Sequence, residues 1–234
     1  MSINFSIIIP CYNEKENLSQ LITICKKELC SNGVEVILID NGSNDDSQNI
    51  LKKIDNSKGL LKTYKLEKNR GYGGGILFGL SNATGNYIGW THADLQTHPS
   101  DVLKGFNLME SNNTFIKGSR VGRPITEKIF SIGMSIFESM ILKKRLWEIN
   151  AQPTIFAKSF FQSWKNPPND FSLDLYAYVM AKEEKLKIKR FKVFFPKRLF
   201  GYSSWNTGLN AKIALIKRTI EFSFKLKKDI SNKI

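Results

Sequence analysis

Apolar runs that read as strands alternate with helical patterns through the first 120 residues, and this alternation narrows the possible folds more than any other feature. The runs 5–10, 34–40, 60–66, 86–91 and 114–118 read as strands, and 15–30, 45–55, 73–83 and 100–111 read as the helices between them. Such a pattern predicts an α/β chain with a mostly parallel sheet wound by right-handed crossovers. Ligands of these sheets bind at the carboxyl ends of the strands. The chain places Pro10, Asp40 and Asp94 there, on one predicted rim.

After residue 120 the pattern changes. Ile125 to Lys144 reads as a long helix, Asn150 to Phe156 as a short extended piece, Ser172 to Lys185 as a helix and Lys187 to Phe195 as a strand. Leu209, Ile213, Ile216, Ile220 and Phe224 recur at helical steps, which predicts a closing helix with one apolar stripe and Lys217, Arg218, Lys225 and Lys228 off it. No repeat, linker or low-complexity tract divides the 234 residues, so one domain is expected over 1–234.

Composition excludes several classes. With 41% hydrophobic and 24% charged residues the chain matches a globular protein and not a disordered one. Cys11, Cys25 and Cys30 lack paired C-x-x-C spacing and are expected as reduced, buried thiols. The amino terminus enters a strand at once, which predicts no export signal. Ile129 to Leu142, the longest apolar candidate, contains Glu138 and falls short of the ~20 residues that span a bilayer. The net charge is +14, and the segment from Lys182 onward holds 15 Lys and Arg against 4 Asp and Glu. A basic surface of this kind suits an anionic lipid, a diphosphate or a nucleic acid. Nothing resembling an aromatic-basic nucleic-acid motif accompanies it, so no nucleic-acid partner is expected.

The chemistry-bearing segments are Ile9-Pro10-Cys11-Tyr12-Asn13-Glu14, Ile39-Asp40-Asn41-Gly42-Ser43, Asn69-Arg70-Gly71, Thr91-His92-Ala93-Asp94-Leu95-Gln96 and Arg198-Leu199-Phe200-Gly201-Tyr202-Ser203. In this order they resemble glycosyltransferase family 2, the inverting nucleotide-sugar enzymes of the GT-A fold, and most closely the branch similar to dolichyl-phosphate mannose synthase. The resemblance implies two halves: residues 1–120 for the nucleotide sugar, and 121–234 for the acceptor, ending in the basic helix. It implies Pro10, Tyr12, Glu14, Asp40, Arg70 and Gly71 as nucleotide-binding residues, with the Asp40 carboxylate accepting a ring N–H of the base. Asp94 and Gln96 fall in the family's metal motif, so Mn²⁺ or Mg²⁺ is the implied cofactor. Arg198, Gly201 and Ser203 match a loop that closes over the diphosphate, and Asp94 and Arg198 are the implied catalytic pair. Ser204 stands where a Lys is common, with Lys197 as a substitute. Arg120, in Gly118-Ser119-Arg120, matches a residue that binds the acceptor phosphate.

Two departures from the family pattern carry weight. His92 replaces the leading Asp of the metal motif, and an imidazole suits Mn²⁺ better than Mg²⁺. Three roles stay open for it: metal ligand, hydrogen-bonding group for the nucleotide, or mark of a weakened metal site. The second departure is Asn150-Ala151-Gln152-Pro153, where relatives acting on hydroxyl acceptors keep a carboxylate pair. Asp170 and Asp174 are the nearest candidate bases. A phosphate acceptor needs no base, so the expectation is transfer from a nucleotide diphosphate sugar to polyprenyl phosphate or another lipid-linked acceptor. The expected setting is cytoplasmic, peripheral at the inner membrane face, with a membrane surface or membrane protein as partner. The alternatives are transfer to a sugar hydroxyl in surface-polysaccharide assembly and a catalytically degenerate nucleotide-sugar-binding protein.

Overall fold

The computed structural model describes residues 3–31, 33–57, 59–196 and 209–231. Seven strands form one sheet: β1 Phe5–Cys11, β2 Val34–Asp40, β3 Leu61–Lys65, β4 Tyr87–Trp90, β5 Thr114–Val121, β6 Thr154–Ala157 and β7 Lys187–Phe194, in the order β3-β2-β1-β4-β6-β5-β7. β3, β2, β1 and β4 run parallel, as do β5 and β7. β6 lies between the two parallel groups and runs antiparallel to both neighbours. The mostly parallel sheet expected from the alternation is therefore present, with one departure: β5 does not pair with β4. The short extended piece read at 150–156 is the strand that separates them.

The helices are α1 Lys15–Ile24, α2 Ser47–Lys52, α3 Gly71–Asn82, α4 Asp101–Phe106, α5 Ile125–Leu142, α6 Lys158–Gln162, α7 Leu173–Glu183 and α8 Leu209–Ser231. α1 widens into a π-helical turn over Cys25–Leu29. α2 and α4 are shorter than their sequence patterns suggest, and α3 begins at Gly71 instead of Gly73. Two cores result, one on each face of the sheet. Ile8, Ile37, Ile39, Trp90, Phe115 and Phe156 meet α3 and α7 on one face; Ile7, Ile9, Val36, Leu38 and Ile116 meet α1 on the other. The alternation of faces follows from the two-residue period of a strand.

The end of the sheet opposite the predicted rim is fastened by Glu35. Its carboxylate accepts hydrogen bonds from the Ser6 hydroxyl (2.6 Å), the Lys62 ammonium (2.7 Å) and both the N–H and hydroxyl of Thr84 (2.8 and 2.7 Å). Burial alone would raise this carboxyl, but these donors outweigh it and hold it below the ordinary range.

Candidate functional site

The carboxyl ends of β2, β1 and β4 meet on one rim. Asp40 is the last residue of β2 and pairs in register with Cys11 at the end of β1, while Ile8 pairs with Trp90 at the end of β4. The Thr91 N–H continues that pairing onto the Ile8 carbonyl at 3.1 Å. The loops beyond β1 and β2 are tied together. Asn13, at a positive φ of 55°, accepts from the Asn44 N–H (3.0 Å), and its own N–H donates to the Ser43 hydroxyl (3.1 Å). The Glu14 N–H donates to the Ser47 hydroxyl at 3.0 Å, fixing the start of α1 against α2. Pro10 is partly buried and Tyr12 is exposed on this rim.

Asp40 is buried, and only half of its carboxylate is used. Oδ1 accepts from the Ser43 N–H at 2.9 Å, whereas Oδ2 is buried with no hydrogen-bond partner among the described residues. A buried acceptor left unpaired is costly, and this one lies at a strand end, on the rim where β1, β2 and β4 meet.

Asn41 explains its own departure from the family's Asp. Its side-chain N–H donates to the Gly71 carbonyl (2.9 Å), while its side-chain oxygen accepts from the Arg70 N–H (3.1 Å). A carboxylate could not make the first of these bonds. Arg70 and Gly71 are thus held at the rim by Asn41, with the Arg70 guanidinium over the Phe78 ring at 6.0 Å. The glycines that follow are packing residues. A Cβ at Gly73 would come within 2.6 Å of the Pro168 carbonyl oxygen, and one at Gly79 within 2.4 Å of the Ile8 side chain. The Gly74 N–H donates to the Asn169 carbonyl at 2.9 Å. The chain's own backbone at 168–170, and not a phosphate, fills this cradle.

The loop after β4 carries His92, Asp94 and Gln96. Asp94 is buried and accepts from the Gln96 N–H at 3.1 Å. Leu95 between them sits at a φ of 57°, a left-handed conformation that is uncommon for a leucine and that turns the loop sharply. The Gln96 side-chain N–H donates to the Pro196 carbonyl at 3.0 Å, which leaves the amide oxygen as its other polar atom. The His92 ring lies 5.7 Å from the Tyr72 ring. Among the described residues no group of three or more His, Cys, Asp and Glu side chains suits a metal ion. One carboxylate, one imidazole and one amide oxygen fit a divalent cation only when ligand oxygens complete its shell.

Beneath this loop lies a buried polar network that sequence reasoning missed. Tyr72 stacks on Phe171 at 4.8 Å and donates its hydroxyl to Asp174 at 3.1 Å. The Gln152 amide donates to both Asp174 (2.8 Å) and the Tyr72 hydroxyl (3.0 Å). The fully buried Lys117 ammonium reaches Asp174 at 3.3 Å and the Thr154 hydroxyl at 2.9 Å. Burial pulls the Lys117 ammonium down to about 8, against the pull of Asp174 in the other direction; burial, reinforced by Asp174, raises the Tyr72 phenol. A lysine directly after Phe115-Ile116, inside a predicted strand, was the available signal for a buried charged partner.

The two candidate bases differ in place. Asp174, on α7, has both oxygens engaged in that network. Asp170 lies at the edge, accepting from the Ser172 N–H at 2.8 Å and pairing with Arg218 of α8 at 3.4 Å. Arg120, near the end of β5, donates to Glu148 at 2.8 Å, and Arg123 pairs with the other oxygen of the same carboxylate. Two guanidiniums share one carboxylate, and Glu127 also acts on Arg123. Lys197, Arg198, Gly201, Ser203 and Ser204 lie outside the described residues. The thiols are free, and burial raises all three. His98 is a loop residue whose ring meets the Ser100 hydroxyl at 2.6 Å.

A curated relative, undecaprenyl-phosphate 4-deoxy-4-formamido-L-arabinose transferase from Enterobacter sp. (strain 638), is 36% identical over 100 residues; the match covers 42% of this chain and 31% of that protein's length. Glucosyl-3-phosphoglycerate synthase from Mycobacterium tuberculosis, solved with uridine diphosphate, superposes with a TM-score of 0.73 at 16% identity over 97% of this chain and 80% of the other. A mannosyltransferase from Pyrobaculum calidifontis, solved with GDP-mannose and Mn²⁺, superposes with a TM-score of 0.63 at 18% identity over 88% of this chain and 60% of the other. These structures share the GT-A fold with the chain. The model of the family described as glycosyl transferase family 2 matches residues 6–173, and the chain belongs to that family.

Proposed function

We propose that the chain is an inverting glycosyltransferase that moves a sugar from a nucleotide diphosphate sugar to polyprenyl phosphate. The observation that carries the choice of acceptor is the engagement of Asp174. Buried, and held by Lys117 and Gln152 on one oxygen and Tyr72 on the other, it is tied into the network and not presented to a hydroxyl acceptor as a base. An acceptor that arrives as a phosphate anion needs none. The relative that acts on undecaprenyl phosphate supports the same reading, though the match covers only 31% of its length.

In this reading the unpaired Oδ2 of Asp40 accepts the ring N–H of the base, while Tyr12, Pro10 and Glu14 border the base and ribose and Arg70 faces the phosphates. Asp94, with His92 and the Gln96 amide oxygen, would hold the divalent cation against the diphosphate. When bound, the cation would neutralise charge on the leaving group. Its identity is Mn²⁺ before Mg²⁺, because an imidazole nitrogen favours the transition metal. Arg198, Gly201 and Ser203, which lie outside the described residues, are assigned to the diphosphate by the family motif alone. Arg120, near the end of β5, would draw the acceptor phosphate. One phosphate oxygen of the acceptor then attacks the anomeric carbon in line; the bond from that carbon to the β-phosphate oxygen breaks, and the nucleoside diphosphate leaves with the electron pair. The configuration inverts.

The test is incubation of the protein with labelled UDP- and GDP-sugars and short-chain polyprenyl phosphate in detergent. Label should pass into the organic phase as an acid-labile glycosyl phosphate. Transfer only to sugar hydroxyls, abolished by Asp170→Asn, would instead select the polysaccharide reading, in which the partly exposed Asp170 is the base.

A further inference from the structure

α5 presents an apolar stripe to the outside. Ile125, Ile129, Ile136 and Met140 are 75%, 63%, 54% and 66% exposed. Spaced at four, seven and four residues, they fall within about 60° of one another around the helix, with Gly133 between them. The inward face of the same helix is marked by the buried Ser135, Glu138 and Leu142. This is the reverse of what water selects on a helix that only closes a core, where the apolar stripe faces inward.

The exposed charge on α5 itself is of one sign. The exposed residues of α5 are Ile125, Thr126, Lys128, Ile129, Gly133, Ile136 and Met140, with no carboxylate among them, and Lys143 and Arg145 follow exposed at its end. There Ile136 and Met140 share an open groove of about 480 Å³ with Lys143, Lys144 and Arg145; Lys144 is paired with Glu183 at 2.6 Å, so Lys143 and Arg145 supply the cationic rim. α8, which packs on α5, adds exposed Ile213 and Phe224 together with Lys217, Lys225, Lys227 and Lys228, against exposed Glu221 and Asp229. The stripe read from the sequence of α8 is therefore partly outside; among the described side chains of the helix, those buried are Ser223 and Leu226.

The position of the stripe is as informative as its composition. α5 starts five residues after Arg120, and Arg218 of α8 reaches Asp170 at 3.4 Å and the Phe171 ring at 5.9 Å. Both helices thus leave from the edge of the candidate site. No helix among the described residues is long and apolar enough to cross a membrane.

We infer that the outer face of α5, bordered by α8, lies in the interfacial layer of an anionic bilayer, with Ile125, Ile129, Ile136 and Met140 among the acyl chains and Lys143 and Arg145 at the headgroup phosphates. An amphipathic helix binds in this way when apolar insertion and cationic attraction act together. The choice of a membrane as occupant rests on the lipid-acceptor reading above; the surface itself does not. A lipid phosphate approaching Arg120 from such a layer would not have to leave it.

The experiment is vesicle co-sedimentation of the full chain without nucleotide sugar, on phosphatidylcholine alone and mixed with phosphatidylglycerol. The parent should bind the mixed vesicles at low salt. The variant carrying Ile125→Ser, Ile129→Ser, Ile136→Ser and Met140→Ser should lose at least ~100-fold in partition, with unchanged circular dichroism and thermal midpoint because those side chains are exposed. Lys143→Gln with Arg145→Gln should lose on the order of 10-fold on mixed vesicles only. A parent that fails to bind, or a serine variant that binds as well as the parent, would overturn the inference. So would light scattering that finds a dimer dissolved by the serine changes, because a second copy would then cover the stripe. Transfer to short-chain polyprenyl phosphate in detergent separates the two ideas: its absence in parent and variant alike sinks the proposed function and leaves the vesicle result standing.

Discussion

Replacing Asp40 with Asn changes one buried atom at the point where base recognition is proposed. Oδ1 can keep the 2.9 Å bond from the Ser43 N–H, so the turn after β2 is preserved. The second oxygen, which has no partner among the described residues, becomes an NH₂ group. In the free protein one unmet polar group replaces another, and stability should move by no more than about 1 kcal/mol. In the complex the outcome is different. A ring N–H that donated to a carboxylate now faces a second donor. A hydrogen bond to a charged group contributes about 1.5–3 kcal/mol, which at 1.4 kcal/mol per decade is a ~10- to ~150-fold loss in affinity. Because the contact is to the base and not to the reacting centre, the loss should appear equally for the nucleotide sugar and the free nucleoside diphosphate, and saturating donor should restore turnover. Titration calorimetry with UDP and GDP, beside a denaturant melt of the free protein, measures both halves. Unchanged affinity for both nucleotides, with stability also unchanged, would refute the assignment of Asp40 to the base.

Asp94→Asn should lower turnover on the order of 10²-fold, the scale of removing one electrostatic stabiliser, and an unimpaired variant would sink its role at the diphosphate. His92→Asp should weaken Mn²⁺ relative to Mg²⁺ in calorimetric binding to the protein–nucleoside diphosphate complex; an unchanged ranking would remove His92 from the metal shell. Gly79→Ala places a methyl about 2.4 Å from Ile8 and should destabilise by about 1–3 kcal/mol, read as a lowered denaturation midpoint. Burial pushes the Glu138 carboxyl up to about 8. As pH rises from about 4.5 to about 8 the unfolded chain releases a proton that the fold retains, so stability falls across that window and levels off above it. Glu138→Gln should remove this slope, with a gain on the order of 2–4 kcal/mol at pH 9 and little at pH 4, followed by chemical denaturation across pH.

The strands β2, β1 and β4 could be read from sequence because they are largely buried on both faces and show as continuous apolar runs such as Ile7-Ile8-Ile9 and Val36-Ile37-Leu38-Ile39. The rim carrying Asp40 and Asp94 followed from strand polarity alone. The place of β6 did not, since four residues, Thr154-Ile155-Phe156-Ala157, carry no information on direction or neighbours. The helix starts at α3 and α4 shifted because glycines and a Pro-Ser-Asp turn blur where periodicity begins. The network around Asp174 joins residues up to 102 positions apart, a separation that local patterns do not encode. On α5 the hydrophobic stripe was visible as a helix, but the direction it faces depends on what the rest of the chain offers to cover it.

The late arrival of β6 has a consequence for how the chain is made. β4 and β5 are complete by residue 121, yet the strand that joins them is not synthesised until residue 157. A nascent or truncated chain ending near residue 120 would therefore hold β4 with an open, apolar edge, a template for pairing with other chains. Closure of the sheet requires contacts across long sequence separations, which slows folding. Truncations that stop before residue 157 are thus expected to aggregate instead of yielding a stable nucleotide-binding fragment, and a split of this protein into two expressible pieces would have to keep β6 with the amino-terminal piece.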